Sequence, residues 1–242
     1  MERIMSKTYR RLDNFMEKKY RTEPDLETGL LRIIALKDFS DVKKGDRGGL
    51  IEKEKNLSQE GDCWVYGNAR VFGNAQVFGN ARVYGEAQIY ERAWVGGNAC
   101  VSGFAEVSNA RVYGKAKVYG DAKIFEWADV CDHAQVYGKA KIYGNTQIFG
   151  NAEVFGNALV CEAWCKDAKV SGNVKLWSTN KLSMSITSSI KNSKDYVILA
   201  IGKKFYIFSS HVENVFVKDT SIFDNNYTKN IQIIRQLYGK EI

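Results

Sequence analysis

From Val65 the chain repeats itself every six residues, reading VYGNAR, VFGNAQ, VFGNAR, VYGEAQ, IYERAW, VGGNAC and VSGFAE. After a five-residue VSNAR it resumes with VYGKAK, VYGDAK, IFEWAD, VCDHAQ, VYGKAK, IYGNTQ, IFGNAE and VFGNAL. Two more five-residue units, VCEAW and CKDAK, lead into VSGNVK, LWSTNK and LSMSIT. An aliphatic residue, replaced once by Cys165, opens each of 21 units from Val65 to Leu182. Such a short fixed period means a solenoid: one unit cannot bury its own apolar face, so copies must stack.

Each position in the unit has its own physical task. The β-branched residue favours a pleated, buried site. The Gly-Asn or Gly-Lys pair makes a turn, because these residues tolerate positive φ. Alanine is the small inward residue at the corner, and the last residue (Arg, Gln, Lys or Glu) points to water. Three units make a triangular coil of 18 residues, so 21 units make seven coils. At about 4.8 Å per coil the prism is about 34 Å long. Its interior is a column of Val, Ile and Ala, too narrow for a ligand. The short units at Val107, Val160 and Cys165 pinch one corner each and should distort the coil there.

The composition fits this picture. The chain has 242 residues, with 21 glycines against a single proline, 45% hydrophobic residues and 26% charged ones. No apolar run reaches the roughly 18–20 residues of a membrane span. Met1–Arg21 is polar and unlike a secretory signal. Five cysteines make no disulfide framework. A protein of a reducing, cytoplasmic compartment is expected. Residues 1–56 form an N-terminal cap, 57–182 the solenoid and 183–242 a C-terminal cap domain. In the first cap, Leu31–Leu36 reads as a strand, Lys44–Gly49 as a turn-rich loop and Arg11–Tyr20 as a helix. In the second, Tyr196–Ile201 and Lys204–Ser209 flank a Gly-Lys hairpin turn. Val212–Val217 suits a third strand, and Thr228–Tyr238 a short amphipathic helix.

The small–x–aliphatic units resemble the left-handed parallel β-helix of the hexapeptide-repeat superfamily. The variant with an aromatic after the aliphatic residue, together with LLRIIALKDFSDVKKGDRGGLIEKEKNLSQEGDCWV (Leu30–Val65), resembles the YdcK-like subgroup of bacterial and phage proteins. The resemblance implies the fold. It also implies an acyltransferase activity that the subgroup carries largely by analogy, and frequent trimers. Enzymes of the superfamily use one histidine as general base and bind acyl-CoA along a groove between prisms. Of the two histidines, His133 holds an outward turn position in VCDHAQ, and His211 follows a strand of the C-terminal cap.

No GxSxG, P-loop or HExxH motif is present. Cys161 and Cys165 face different ways and make no shared metal site, and Cys63 reads as core. Asp129 and Asp132 read as solvated acids without a third ligand. The surface offers aromatic ladders, because units three apart stack. Lys123 and Lys141 share a side, one coil apart, with Lys115, Lys117 and Lys139 near adjoining corners and Tyr119 and Tyr137 alternating with them. Lysines interleaved with aromatics suit an anionic partner. The repeat as a whole carries 13 basic and 12 acidic residues, against 14 and 11 in residues 1–56 and 8 and 5 in 183–242. The first functional expectation is therefore a non-enzymatic scaffold without a cofactor. It would self-associate as a dimer or trimer and, in a phage-borne member, occlude or sequester a host protein, ribonucleoprotein or anionic ligand. The alternative is a CoA-dependent acyltransferase with His133 as base and acetyl-CoA as donor.

Overall fold

The computed structural model describes residues 18–172 throughout and, beyond them, the strands Val174–Ser178, Lys181–Leu182, Ile186–Thr187, Tyr196–Ile201 and Lys204–Ser209. All 21 repeat units form short strands, and these stack as three parallel sheets around a seven-turn β-solenoid. Face I holds Arg70–Val71, Gln88–Tyr90, Glu106–Ser108, Lys123–Ile124, Lys141–Tyr143, Leu159–Cys161 and Val174–Ser178. Face II runs from Gln76–Val77 through Trp94–Val95, Arg111–Val112, Asp129–Val130, Gln147–Phe149 and Trp164–Lys166 to Lys181–Leu182. Face III runs from Trp64–Val65 to Ile186–Thr187. Each coil passes from face III to face I to face II.

The inward column is the expected one. Every aliphatic position from Val65 to Val170 is fully buried, as are the corner alanines. Thr146 replaces one corner alanine and is also fully buried. Its hydroxyl donates to the Tyr143 carbonyl at 2.6 Å, which removes the cost of burying it. The corners need positive φ at one residue. Gly120 supplies it at +72°, where a side chain would be strained. An added Cβ would also stand 3.0 Å from the Gly138 nitrogen and 3.1 Å from its carbonyl oxygen in the next coil.

The first coil is closed by β1 (Tyr20–Pro24), β2 (Leu31–Ala35) and β3 (Arg47–Ile51), an antiparallel meander. β3 pairs in parallel with Arg70–Val71, so face I extends into this segment. Lys44–Gly49 was expected as a loop, and the structure instead begins a strand at Arg47. The reason lies in Gly48: a Cβ there would lie 2.5 Å from Ile33 Cγ1 and 2.6 Å from the Val65 carbonyl. The glycine serves close approach rather than a turn. Lys19 is buried to 1% exposure, and its ammonium donates to the carbonyls of Gly61 (3.1 Å) and Cys63 (2.9 Å). It thereby satisfies acceptors that the first coil would otherwise leave open. Desolvation lowers the Lys19 pKa from its ordinary value, with Cys63 acting in the opposite sense. Tyr20 lies in β1, and 11–17 of the expected helix lie outside the described residues.

At the other end, Tyr196–Ile201 and Lys204–Ser209 form the expected antiparallel hairpin. It adds in parallel to Val174–Ser178, continuing the face I sheet. The expected strand 212–217 and helix 228–238 lie outside the described residues.

Two tests follow from the core. Val118 is fully buried between Val101 and Val136. Val118→Asp places an unpaired charge in the column and should cost more than about 4 kcal/mol, read as loss of the cooperative melt or of soluble protein. Cys165 holds an aliphatic slot, where burial pushes its thiol up to about 12. The unfolded thiol deprotonates first, near its ordinary value of about 8.5. Its contribution is therefore complete below that pH and lost as pH rises toward 12. Cys165→Val should flatten the fall of melting temperature above about pH 9; an unchanged slope would contradict the assignment.

Candidate functional site

The three corners of the prism are not alike. The III-to-I corner turns on glycine in every described coil, from Gly67 to Gly172. At the I-to-II corner, Glu91, Asn109, Glu126, Trp127 and Glu162 take positive φ values of 47–71° without being glycine. Two of the three short units fall there, at Asn109 and Glu162, and the third shortens the II-to-III corner at Asp167. Left-handed backbone at a non-glycine residue costs roughly 1–2 kcal/mol, and such outliers gather at functional sites.

The short turn at Asn109 is retracted between fuller turns on either side. Glu91 spans it from the coil before, accepting hydrogen bonds from the Ser108 hydroxyl at 2.6 Å and from the Asn109 amide. From the coil after, the Trp127 N–H reaches back to the Asn109 carbonyl at 2.7 Å. In ordinary corners the equivalent N–H points onward, as Asn98 does to Gly114. The reversed peptide leaves both Glu126 and Trp127 at positive φ, and the Trp127 ring stands 64% exposed.

Below this ring, on face II, lies a cleft of about 560 Å³. Its floor is a ladder of outward residues one coil apart: Trp94, Arg111, Asp129 and Gln147. Arg111 grips Asp129 with two hydrogen bonds, Nε to Oδ1 at 2.6 Å and Nη2 to Oδ2 at 2.5 Å. Hydrogen bonding to Asp129 and its charge raise the Arg111 pKa. Asp129, read from sequence as a solvated acid, is only 6% exposed. The guanidinium explains the difference, because it replaces the water that a buried carboxylate loses. Trp94, 49% exposed, is braced by Phe78, whose ring meets it edge-on at 6.2 Å. Gly96 makes room for that ring: a Cβ there would lie 2.4 Å from Phe78 Cζ.

The residues selected from sequence lie elsewhere. His133 is exposed at the II-to-III corner, between Lys115 of one coil and Asn151 of the next. Its backbone N–H donates to the Gly150 carbonyl at 2.9 Å, and the neighbouring Asp132 carboxylate accepts from the Gly150 N–H at 3.0 Å. Tyr119 and Tyr137 directly follow face III strands and stack in parallel at 4.8 Å, and Phe155 continues the stack at 4.8 Å. Desolvation raises the pKa of both tyrosines. Lys139 lies at the adjoining III-to-I corner, and Lys123 and Lys141 begin successive strands of face I. The Lys123 ammonium is held by Glu106 at 2.7 Å. Lys117 opens a face III strand, and Lys115 precedes it at the far edge of that face. Five of the seven residues therefore border one edge. Cys161 ends a face I strand and Cys165 lies on face II, and among the described residues both are free thiols.

Sequence reasoning passed over Trp94, Trp127 and the Arg111–Asp129 pair. The signals were present: Glu-Trp where ten of the 21 units have Gly-Asn or Gly-Lys, and opposite charges 18 residues apart.

Fold and surface together define a parallel β-solenoid built on a six-residue repeat. The YdcK beta-solenoid repeat model matches residues 65–77 and 75–91. The chain is also 54% identical over 37 residues to a protein of Escherichia coli (strain K12) named "Uncharacterized acetyltransferase YdcK", a match covering 15% of this chain and 11% of that protein. Over these segments the chain is similar to the YdcK-like β-helix proteins. Among the described residues no helix is long and apolar enough to cross a membrane.

If the reversed corner is strained as described, Glu126→Gly should raise stability by about 1 kcal/mol. Chemical denaturation checks this, and a loss of stability would contradict it.

Proposed function

We propose that this solenoid transfers an acyl group from an acyl-coenzyme A to an oxygen or nitrogen nucleophile, with His133 as general base. The similarity to a protein named as an acetyltransferase carries the reading. The position of His133 supports it. An exposed imidazole on a rigid corner can meet an acceptor from solvent, and histidine is the commonest general base. The imidazole takes the proton as the acceptor attacks the thioester carbonyl. The carbon–sulfur bond breaks, and the imidazolium returns the proton to the departing thiolate. Lys115, one coil away, supplies an ammonium to an anionic donor.

A second reading, a non-enzymatic scaffold, is supported by the stacked Tyr119–Tyr137–Phe155 edge with Lys139 and Lys141 exposed beside it. Such an edge suits an anionic macromolecule or a second prism, in a dimer or trimer.

Calorimetric titration with acetyl-CoA separates the two. The acyltransferase reading expects saturable binding, weakened at least about tenfold by Lys115→Glu. His133→Ala should keep binding but lower thiol release in the presence of acceptor by about 100-fold or more. Absence of saturation would overturn this reading and leave the scaffold.

A further inference from the structure

We propose that the cleft on face II is a binding site for a neutral oligosaccharide. This goes beyond the acyltransferase reading and stands without it. Trp127 and Trp94 together carry the argument. Exposing two indoles is costly, and the fold adds backbone strain to present Trp127, at φ +71°. Trp94 is fixed in place by Phe78, so its ring is oriented before anything binds. Two exposed indole surfaces beside one cleft form platforms for flat, partly apolar faces, such as the C–H faces of pyranose rings.

The polar groups select among flat ligands. Asn109, Asn145 and Gln147 line the cleft. An amide both donates and accepts, as a sugar hydroxyl does. The charges nearly cancel: Arg92, Arg111 and Asp129 line the cleft, and Glu91 lies in the adjoining recess of about 400 Å³. Asp129 is held at the floor as a carboxylate partner of Arg111. A phosphate-bearing ligand needs an excess of cations and would meet that carboxylate. A neutral ligand meets a hydrogen-bonding pair with acceptor and donor capacity left over. Trp94 and Gln147 are three coil spacings apart, about 14 Å, enough for two or three hexose rings. The next outward rung of the ladder is Trp164.

The test uses the full chain and neutral tetrasaccharides of glucose, mannose, galactose and N-acetylglucosamine, followed by tryptophan fluorescence and calorimetry. At least one should bind saturably, with an affinity that changes less than about twofold between about 50 and 500 mM salt. Trp127→Gly removes the platform and relieves the left-handed backbone. It should weaken binding at least about tenfold, with a melting temperature no lower than that of the parent. Trp94→Ala should weaken binding similarly. Three results would overturn the proposal: no binding of any of the four, unchanged affinity in Trp127→Gly, or salt-sensitive quenching of the same tryptophans by oligodeoxythymidylate in place of the sugars. The acetyl-CoA titration reads the II-to-III corner, so the two readings fail separately.

Discussion

The structure depends on one interaction, the parallel pairing of each strand with the strand one coil later. Lys117 N–H bonds to the Ala134 carbonyl at 2.9 Å, Lys123 to Ala140 at 2.9 Å and Arg111 to Ala128 at 2.9 Å, one on each face. The same bond recurs along each face and locks the inward residues into a column. Because the period is fixed, chemistry on the surface is placed by arithmetic. A residue is adjacent to the one three units away, whatever lies between them. Thus Lys123 meets Lys141, Tyr119 meets Tyr137, and Arg111 meets Asp129.

Deleting one residue from a unit leaves this pairing intact and changes only the corner. The short turn at Asn109 keeps Val107 and Val112 fully buried. The local consequences are a retracted turn, a reversed peptide at Trp127 and a cleft over face II. Functional variety in such a fold therefore comes from its corners, because the column tolerates little change in volume. The glycine-lined III-to-I corner is the regular one, and its stacked rings stiffen the edge. The irregular corner carries strain that the rest of the stack supports.

Much of this was legible in the residues. The aliphatic positions predicted by the repeat all fall in strands, and the inward alanines are buried as expected. The errors came where a residue type serves two purposes. Gly48 resembles a turn residue and instead allows β3 to lie against Ile33 and Val65. Asp129 resembles a surface acid, and its burial shows only when the stacking is applied to Arg111. The reversal at Trp127 depends on the residue missing one coil earlier, which the spacing shows, and on the bond from its N–H back to the Asn109 carbonyl, which the spacing does not. His133 and the lysines are legible as surface groups, but the grip of Glu106 on Lys123 shows only when the coils are stacked.

Paired nitroxide labels test the register of the coils directly. With Cys100 and Cys131 replaced by serine, Lys123→Cys and Lys141→Cys introduce labels on adjacent rungs of face I. At a strand spacing of about 4.8 Å, the double-labelled protein should show strong spin exchange that neither single label shows. A double-labelled spectrum equal to the sum of the singles would contradict the stacking, and with it the placement of every outward residue on the three faces.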